Sequence, residues 1–373
     1  MTTTLANPWI RGPLTGENFN RLPDSLAGVE TKYVYIGVPH KKFNNQRLTF
    51  NLLGGGKGKQ GLTLAPKASG LMHPPFETLF SEGPYQIGAT AERTDWKKRV
   101  ISIGVQVNPD IAPRSDGKLI DTPFRYRMLE DRWWGSWSAT EDGFFGCWTR
   151  THGWRWLKVR LSSESKTAFD YDPVAQGNNF MQWDMEIVAC QPFWNKRTET
   201  GEWQNTVDTS TPWALIEDML NEFIPGLHVG EGTIRVPNRG DRPVYPKFLV
   251  SAPGKCWIQE GSRWVELPLL TAKDGFILVD TDPNEIACTS TKDPYDPVFM
   301  RILRNSQVLT LISDNLLGGL LDTTLPVWRR MTDRFTEASA VPAYSQGIFR
   351  VRHSNADGKV IAFVPQRFER AYG

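Results

Sequence analysis

The sequence is poor in the residues that build most active sites. Its 373 residues include four cysteines and five histidines. Cys147, Cys190, Cys256 and Cys288 stand far apart and form neither a CxxC nor a Cys/His pair, whereas a zinc site needs clustered ligands. They are expected to be buried, reduced thiols in a protein folded in a cytoplasm. His40, His73, His152, His228 and His353 are equally scattered, so neither metal nor cofactor is expected. No charge sign dominates: 43 basic residues face 41 acidic ones, for a net charge of +2. The balance holds on both sides of Ser306. A nucleic-acid binder carries a concentrated basic face, and none is visible, which argues against sequence-specific nucleic acid as a partner. No stretch approaches the roughly 18 apolar residues that cross a bilayer, so no membrane insertion is expected. The opening MTTTLANPWIRGPL has no basic region followed by an apolar run, and no secretory signal is expected.

Catalytic signatures are missing as well. LLGGGKGKQGL resembles a phosphate cradle, but a P-loop needs a Ser or Thr after Gly-Lys to hold magnesium. Here Gln60 follows Gly58-Lys59, and Leu53 occupies the place of the first glycine. The reading is a loop or hairpin tip in which Gly54 to Gly61 adopt positive φ. There is no Gly-x-Ser-x-Gly and no HExxH. Acidic pairs such as Glu130-Asp131 and Asp280/Asp282 have no partner group that would make them catalytic. Asp280 to Asn284 follows an apolar strand, where Asp, Pro and Asn favour a turn. The chain is therefore expected not to be an enzyme and to have no catalytic, cofactor-binding or metal-binding residues.

What is present is β-structure. The 26 prolines and 32 glycines are spread along the chain, as suits many short elements separated by turns. Period-2 alternation marks strands in RVISIGVQV (Ile101, Ile103, Val105 and Val107 inward), in GWRWLKVRL (Leu157, Val159, Leu161) and in FMQWDMEIVA (Met181, Trp183, Met185, Ile187). After a proline cluster at Gln191 to Trp194, STPWALIEDMLNEFIPG reads as a helix. Thr211 is its N-cap, Pro212 its first residue and Pro225-Gly226 its end. A second β block follows, with TIRVP, KFLVSA, CWIQEG, RWVELPLL and GFILVD as short strands at the spacing of a sandwich or barrel. Further on, LISDNLLGGLLDTTLPVWRRMTDRF looks partly helical. GIFRVRHSNADGKVIAFVP reads as a hairpin turning at Asn355 to Gly358.

Two features invite a binding function. Trp133, Trp134, Trp137, Trp148, Trp154 and Trp156 crowd one region of a chain with 15 tryptophans. Exposed on a sheet they could stack on sugars; buried they would anchor a core or a subunit interface. Arg239-Gly240-Asp241 matches a cell-adhesion tripeptide but also suits a turn between strands.

The ordered pattern resembles a known family. Asn238 to Asp241, Pro246, an apolar strand, Pro253-Gly254, a Trp-containing strand and GFILVDTDPNEIA resemble the carboxy-terminal β-sandwich of siphophage distal tail proteins. KGKQGLTLAP, KKRVISIGVQV and GWRWLKVRL through to the Pro192–Trp194 landmark are similar to the ring-forming domain of actinobacteriophage minor tail proteins of this type. The likeness covers roughly residues 30 to 290. Two features depart from the pattern: the chain continues some 70 residues beyond the sandwich, and its Trp-rich insert is heavy.

The resemblance implies a mainly β fold of two β domains, the second a galectin-like sandwich. Residues 1–204 would be the ring-forming domain, 205–227 a helical connector, 228–305 the sandwich and 306–373 an α/β extension. It implies a virion structural protein of a siphovirus tail tip, assembled in the host cytoplasm as a ring, a homohexamer. The ring would join the tail tube to the baseplate hub, surround the tape measure protein and serve as a docking platform for other minor tail proteins. It also makes the Arg-Gly-Asp segment a turn, with Gly240 at positive φ and Asn238 and Asp241 bonding backbone amides. The extension is expected either as an arm clasping a neighbour or as a layer on its own sandwich. In the arm reading, removing residues 306–373 leaves a folded protein that fails to assemble. The rival reading is a carbohydrate-binding receptor-recognition tail protein, with Trp133 and Trp137 as its platform.

Overall fold

The computed structural model describes residues 31–40, 45–109, 122–163, 165, 172–175, 180–206, 230–272, 274–285, 287–290 and 327–372. The chain divides into two compact units, Met1–Lys196 with Phe368–Gly373, and Arg197–Arg367. The division falls inside one strand instead of after residue 204, and the last residues of the chain return to the first unit. The helix expected over 210–226 lies outside the described residues.

The first unit contains β1 (Thr31–His40), β2 (Gln46–Leu53), β3 (Leu62–Leu64), β4 (Phe76–Ser81), β5 (Thr90–Trp96), β6 (Arg99–Val107), α1 (Thr122–Gly135), β7 (Gly143–Thr149), β8 (Gly153–Leu161), β9 (Met181–Ala189) and the start of β10 (Trp194–Gln204). Antiparallel pairing gives the order β2-β1-β7-β8-β9-β6-β3. The expected alternation holds. Ile101, Ile103, Val105 and Val107 are buried, as are Leu157 and Val159, and Trp183, Met185 and Ile187. One core unites them with Tyr35, Leu52, Phe145 and Trp194. The helix α1 buries Tyr126, Leu129 and Trp133, spaced to share one face.

Arg99 is fully buried and its guanidinium donates to backbone carbonyls. It donates to Pro192 O at 2.7 Å, Gly70 O at 2.8 Å, Met72 O at 3.1 Å and Glu369 O at 2.5 Å. Burial pushes its guanidinium down to about 10. It ties the β3–β4 segment, the segment before β10 and the C-terminal segment together, and its own buried donors find acceptors there. Arg155 repeats the device, donating to Arg370 O at 2.8 Å and lying 4.0 Å from the centroid of the Phe368 ring. Phe368 and Ala371 sit in the core of this unit.

The second unit is a sandwich. Its remaining strands are β11 (Gly230–Asn238), β12 (Lys247–Ser251), β13 (Cys256–Glu260), β14 (Arg263–Glu266), β15 (Phe276–Asp280), β16 (Cys288–Ser290), β17 (Ser345–His353) and β18 (Lys359–Phe368). One sheet runs β16-β15-β12-β18-β10, the other β11-β17-β13-β14. Ile234, Val236, Phe248, Val250, Ile258, Val279, Phe349, Val351, Val360 and Val364 fill the space between them.

The C-terminal part differs from expectation in two respects. The segments 345–353 and 359–368 are strands, but they pair with different partners: β17 with β11 and β13, β18 with β12. The turn at Asn355 to Gly358 therefore carries the chain from one sheet to the other and makes no hairpin. Each strand takes an inner position of its own sheet, β17 between β11 and β13 and β18 between β12 and β10, and its apolar face meets the opposite sheet across the core. Secondly, β17 lies between β11 and β13. Residues 345–367 are thus integral to the sandwich, and a chain ending at 305 lacks an inner strand of each sheet. The segment 306–326 lies outside the described residues; Val327–Arg330 forms one 3-10 turn, with Arg330 paired to buried Asp274 at 2.5 Å.

Candidate functional site

The tryptophans expected to carry sugar binding are core residues. Trp133 is fully buried and Trp137 nearly so. Trp137 stacks on Tyr35 at 3.8 Å between centroids, and Trp133 meets Tyr35 and Phe50 edge-on at 5.6 and 5.2 Å. Trp148 is buried; Trp134, Trp154 and Trp156 are half-buried.

The Arg-Gly-Asp segment is a pinned turn. Asn238 accepts from Gly240 N at 3.0 Å and donates to Arg242 O, Val341 O and Pro342 O at 2.9, 3.1 and 2.9 Å. Arg239 N donates to Gln366 at 2.6 Å. Gly240 does not have the expected positive φ. Its requirement is space: a Cβ there would stand 2.5 Å from Arg367 O and 2.8 Å from Arg367 N. Gly240 is buried and the flanking Arg239 and Asp241 half-buried, so the tripeptide does not project as a receptor ligand would.

The remaining candidates are accounted for locally. Gly54, Gly56, Gly58 and Gly61 take positive φ in the turn after β2, as expected. Asp280 pairs with Lys247 at 2.6 Å and accepts from Asp282 N at 3.1 Å, and Asp282 accepts from Asn284 N at 3.0 Å, the expected turn chemistry. Glu130 pairs with Arg127 at 2.7 Å. Cys147, Cys256 and Cys288 are buried free thiols; Cys190, expected buried, is exposed because it follows β9 at the edge of a turn. Burial pushes the Cys147 thiol up to about 12, the opposite of a reactive cysteine. Among the described residues no three His, Cys, Asp or Glu side chains converge on a metal position. A cavity of about 180 Å³ opens beside Phe349 and Val341. Its one buried acid, Glu260, already accepts from Arg263 at 2.7 Å and Thr336 N at 2.6 Å.

Two surfaces stand out. The first is the hairpin β4–β5, which pairs with no other strand among the described residues. Its register runs from Phe76↔Trp96 to Ser81↔Thr90 with a bulge after Leu79. At its root Trp96 packs edge-on to Phe193 at 5.3 Å. At its tip Gln86 N donates to Gly83 O at 3.0 Å, and the Gln86 side chain donates to Thr90 at 2.7 Å. Beyond the root its residues are exposed on both faces: Phe76 at 58%, Leu79 at 42%, Phe80 at 63%, Tyr85 at 100% and Ile87 at 104%. No residue of the hairpin enters either core. An isolated two-stranded ribbon is marginal in water, and apolar side chains grouped on a projecting element mark a contact surface.

The second is the outer face of the sheet β11-β17-β13-β14. Register places Glu231, Arg352, Trp257 and Glu266 in one row. Glu231 accepts from Arg352 Nε at 2.9 Å and from Arg350. The Arg352 guanidinium lies 4.0 Å from the Trp264 ring centroid. Lys255 pairs with Glu266 at 2.5 Å, and Trp257 Nε1 donates to Glu266 at 3.3 Å. The guanidinium groups of Arg352 and Arg350 hold the Glu231 carboxyl below its ordinary range, and Lys255 does the same to Glu266.

The described residues define a two-unit, mainly antiparallel β protein. No family model and no curated protein sequence matches the chain. Its fold is similar to that of the SPP1 Dit protein (gp 19.1), described as a paradigm of the hub adsorption apparatus in phages infecting Gram-positive bacteria. The TM-score is 0.44 and the identity 9%, over 91% of this chain and 99% of that one. A chain of the phage P2 baseplate in its activated conformation is similar at a TM-score of 0.45 and 7% identity, over 91% and 99%.

Proposed function

We propose that this chain is a structural, non-enzymatic component of the tail tip of a long-tailed phage. It assembles in the host cytoplasm as a closed ring, a homohexamer, that joins the tail tube to the baseplate hub, surrounds the tape measure protein and docks other tip proteins. The observation that carries this reading is the β4–β5 arm. Paired residues at about 3.3 Å each let it reach roughly 20 Å from its root, far enough to lie on an adjacent copy. Covering a large apolar side chain contributes about 1.5–3 kcal/mol, so five such residues supply the scale of energy that association costs. A head-to-tail contact, in which each copy gives one arm and receives one, closes into a ring when the rotation allows. The near-balanced charge suits a wall that must not hold DNA. The resemblance over residues 30 to 290 supports the same reading, since KKRVISIGVQV, GWRWLKVRL and GFILVD each hold a strand.

The test is the mass of the full chain in solution. The intact protein is expected to run as a ring-sized oligomer, and Phe80→Ser/Tyr85→Ser/Ile87→Ser as a monomer with an unchanged melting midpoint. A monomeric wild type, or a variant that still assembles, would refute the proposal. The rival reading of receptor recognition through Trp133 and Trp137 loses its platform, since both are buried.

A further inference from the structure

We propose that the tip of the β4–β5 arm seats Tyr85 in the cavity beside Phe349 and Val341, on the sandwich unit of a second copy of this chain. The inference rests on the ring reading above and names the surface that receives the arm.

The knob is built to stay out in solvent. Tyr85 and Ile87 are fully exposed, and Gln86 between them closes the turn that carries them. Gln86 N donates to Gly83 O at 3.0 Å, its side-chain oxygen accepts from Gly83 N at 3.3 Å, and its side-chain nitrogen donates to Thr90 at 2.7 Å. A tip ordered by its own hydrogen bonds loses little freedom on docking.

The cavity suits a phenol ring. Its volume is about 180 Å³, and an apolar cavity of roughly 150 Å³ takes up benzene. One aromatic side chain therefore fits. Phe248, Phe335 and Phe349 supply apolar wall, whereas Glu260 and Ser339 bring polar atoms to the lining. Among the described residues Glu260 Oε1 accepts one hydrogen bond, from Thr336 N at 2.6 Å, and a carboxylate oxygen has room for a second donor. An aliphatic side chain would fill the space and leave that acceptor covered but unused. A tyrosine sets its ring against the phenylalanines and offers its hydroxyl hydrogen to the carboxylate. The exposed tyrosines of the described residues are Tyr85, Tyr344 and Tyr372, and of these Tyr85 stands on the projecting arm.

Charge agrees with the fit. Glu82 and Glu92 flank the tip, are exposed and have no ion pair among the described residues. The cavity is flanked by Arg334, next to Phe335 of its wall, and by Arg235, in register with Ile348 of its rim. Both arginines are exposed and equally without a carboxylate partner among the described residues. Two acids on the knob thus meet two bases beside the hole, which fixes orientation. Knob and hole lie on different parts of the chain, so the contact is heterologous, the kind that closes into a ring.

The experiment co-expresses two differently tagged full chains, both Cys190→Ser. One carries Ala89→Cys at the arm tip and the other Ala338→Cys at the cavity rim, both at exposed positions. The three remaining cysteines are buried, so a short bismaleimide joins only different copies. A cross-link is expected, its yield lowered about tenfold by Tyr85→Ala in the arm-bearing chain. Glu82→Arg/Glu92→Arg in that chain should lower it too, and Arg235→Glu/Arg334→Glu in the receiving chain should restore it. If Ala338→Cys fails to fold, Gln346→Cys on the same rim takes its place. A ring-sized mass without the cross-link would overturn the docking and leave the ring standing, whereas a monomeric mass would overturn both. A cross-link untouched by Tyr85→Ala and by the charge reversals would also overturn the docking.

Discussion

Replacing Phe368 by alanine tests whether the end of the chain belongs to the first unit. Phe368 is 2% exposed, packs in the core of that unit and carries the Arg155 guanidinium 4.0 Å from its ring centroid. A buried Phe→Ala exchange costs about 3–5 kcal/mol through lost transfer energy and the cavity left behind. The lost cation–π contact adds to the upper end of that range. A value of about 4 kcal/mol is a large share of the 5–15 kcal/mol typical of a folded domain. With a urea slope of about 2 kcal/mol/M, the midpoint falls by about 2 M. Thiol labelling reads the units separately, because Cys147 is buried in the first and Cys256 and Cys288 in the second. In Phe368→Ala, the urea concentration that exposes Cys147 should fall by about 2 M, while those exposing Cys256 and Cys288 stay put. A joint shift of all three thiols would refute the assignment, and so would no shift at all.

Three other expectations follow from buried groups. Removing the ammonium of Lys247 in Lys247→Met breaks its 2.6 Å ion pair with Asp280, which is 1% exposed. A loss of about 3 kcal/mol is expected in the Cys256 and Cys288 transition, largely recovered in Lys247→Met/Asp280→Asn. His353 is fully buried, with Asn355 N donating to Nδ1 at 3.0 Å and Nε2 3.0 Å from Ser251 O, so the neutral ring fits and a protonated one does not. Burial lowers its pKa from 6.5. The unfolded chain therefore binds the proton first: the stability of the second unit is full above about pH 6.5 and declines as pH falls below it. Urea midpoints across that window should show the decline, and His353→Gln should flatten it. A residue larger than glycine at 232 meets the Trp203 indole, since a Cβ would stand 2.0 Å from its Nε1; Gly232→Val should cost about 1–3 kcal/mol by thermal melting.

Much of the β-structure was legible because one buried face imposes a period of two. RVISIGVQV and FMQWDMEIVA became strands with the expected faces inward, and KFLVSA and GFILVD became strands. The turns at Asn238 and Asp280 were legible from side chains that bond their own backbone. The arm β4–β5 was not, since FETLFS and TAERTDW expose both faces and so show no one-sided alternation. The helix α1 carried a signal in Tyr126, Leu129 and Trp133, three and four residues apart, obscured by the surrounding tryptophans. The dense cluster around Trp133 and Trp137 suggests sugar stacking from sequence alone, but the packed core buries both.

Local sequence determined which segments are strands and where they turn, because alternation and turn chemistry act between near neighbours. Tertiary structure decided which strands pair. The turn at Asn355 to Gly358 reads the same whether it folds β18 back beside β17 or carries it across to the opposite sheet. Either course can bury both apolar faces; the strands that flank them decide, β11 and β13 beside β17, and β12 and β10 beside β18. Likewise nothing local in Phe368 to Tyr372 says that they close the first unit. The carbonyls of Glu369 and Arg370 find their donors in Arg99 and Arg155, more than two hundred residues earlier, and only the packed core brings them together.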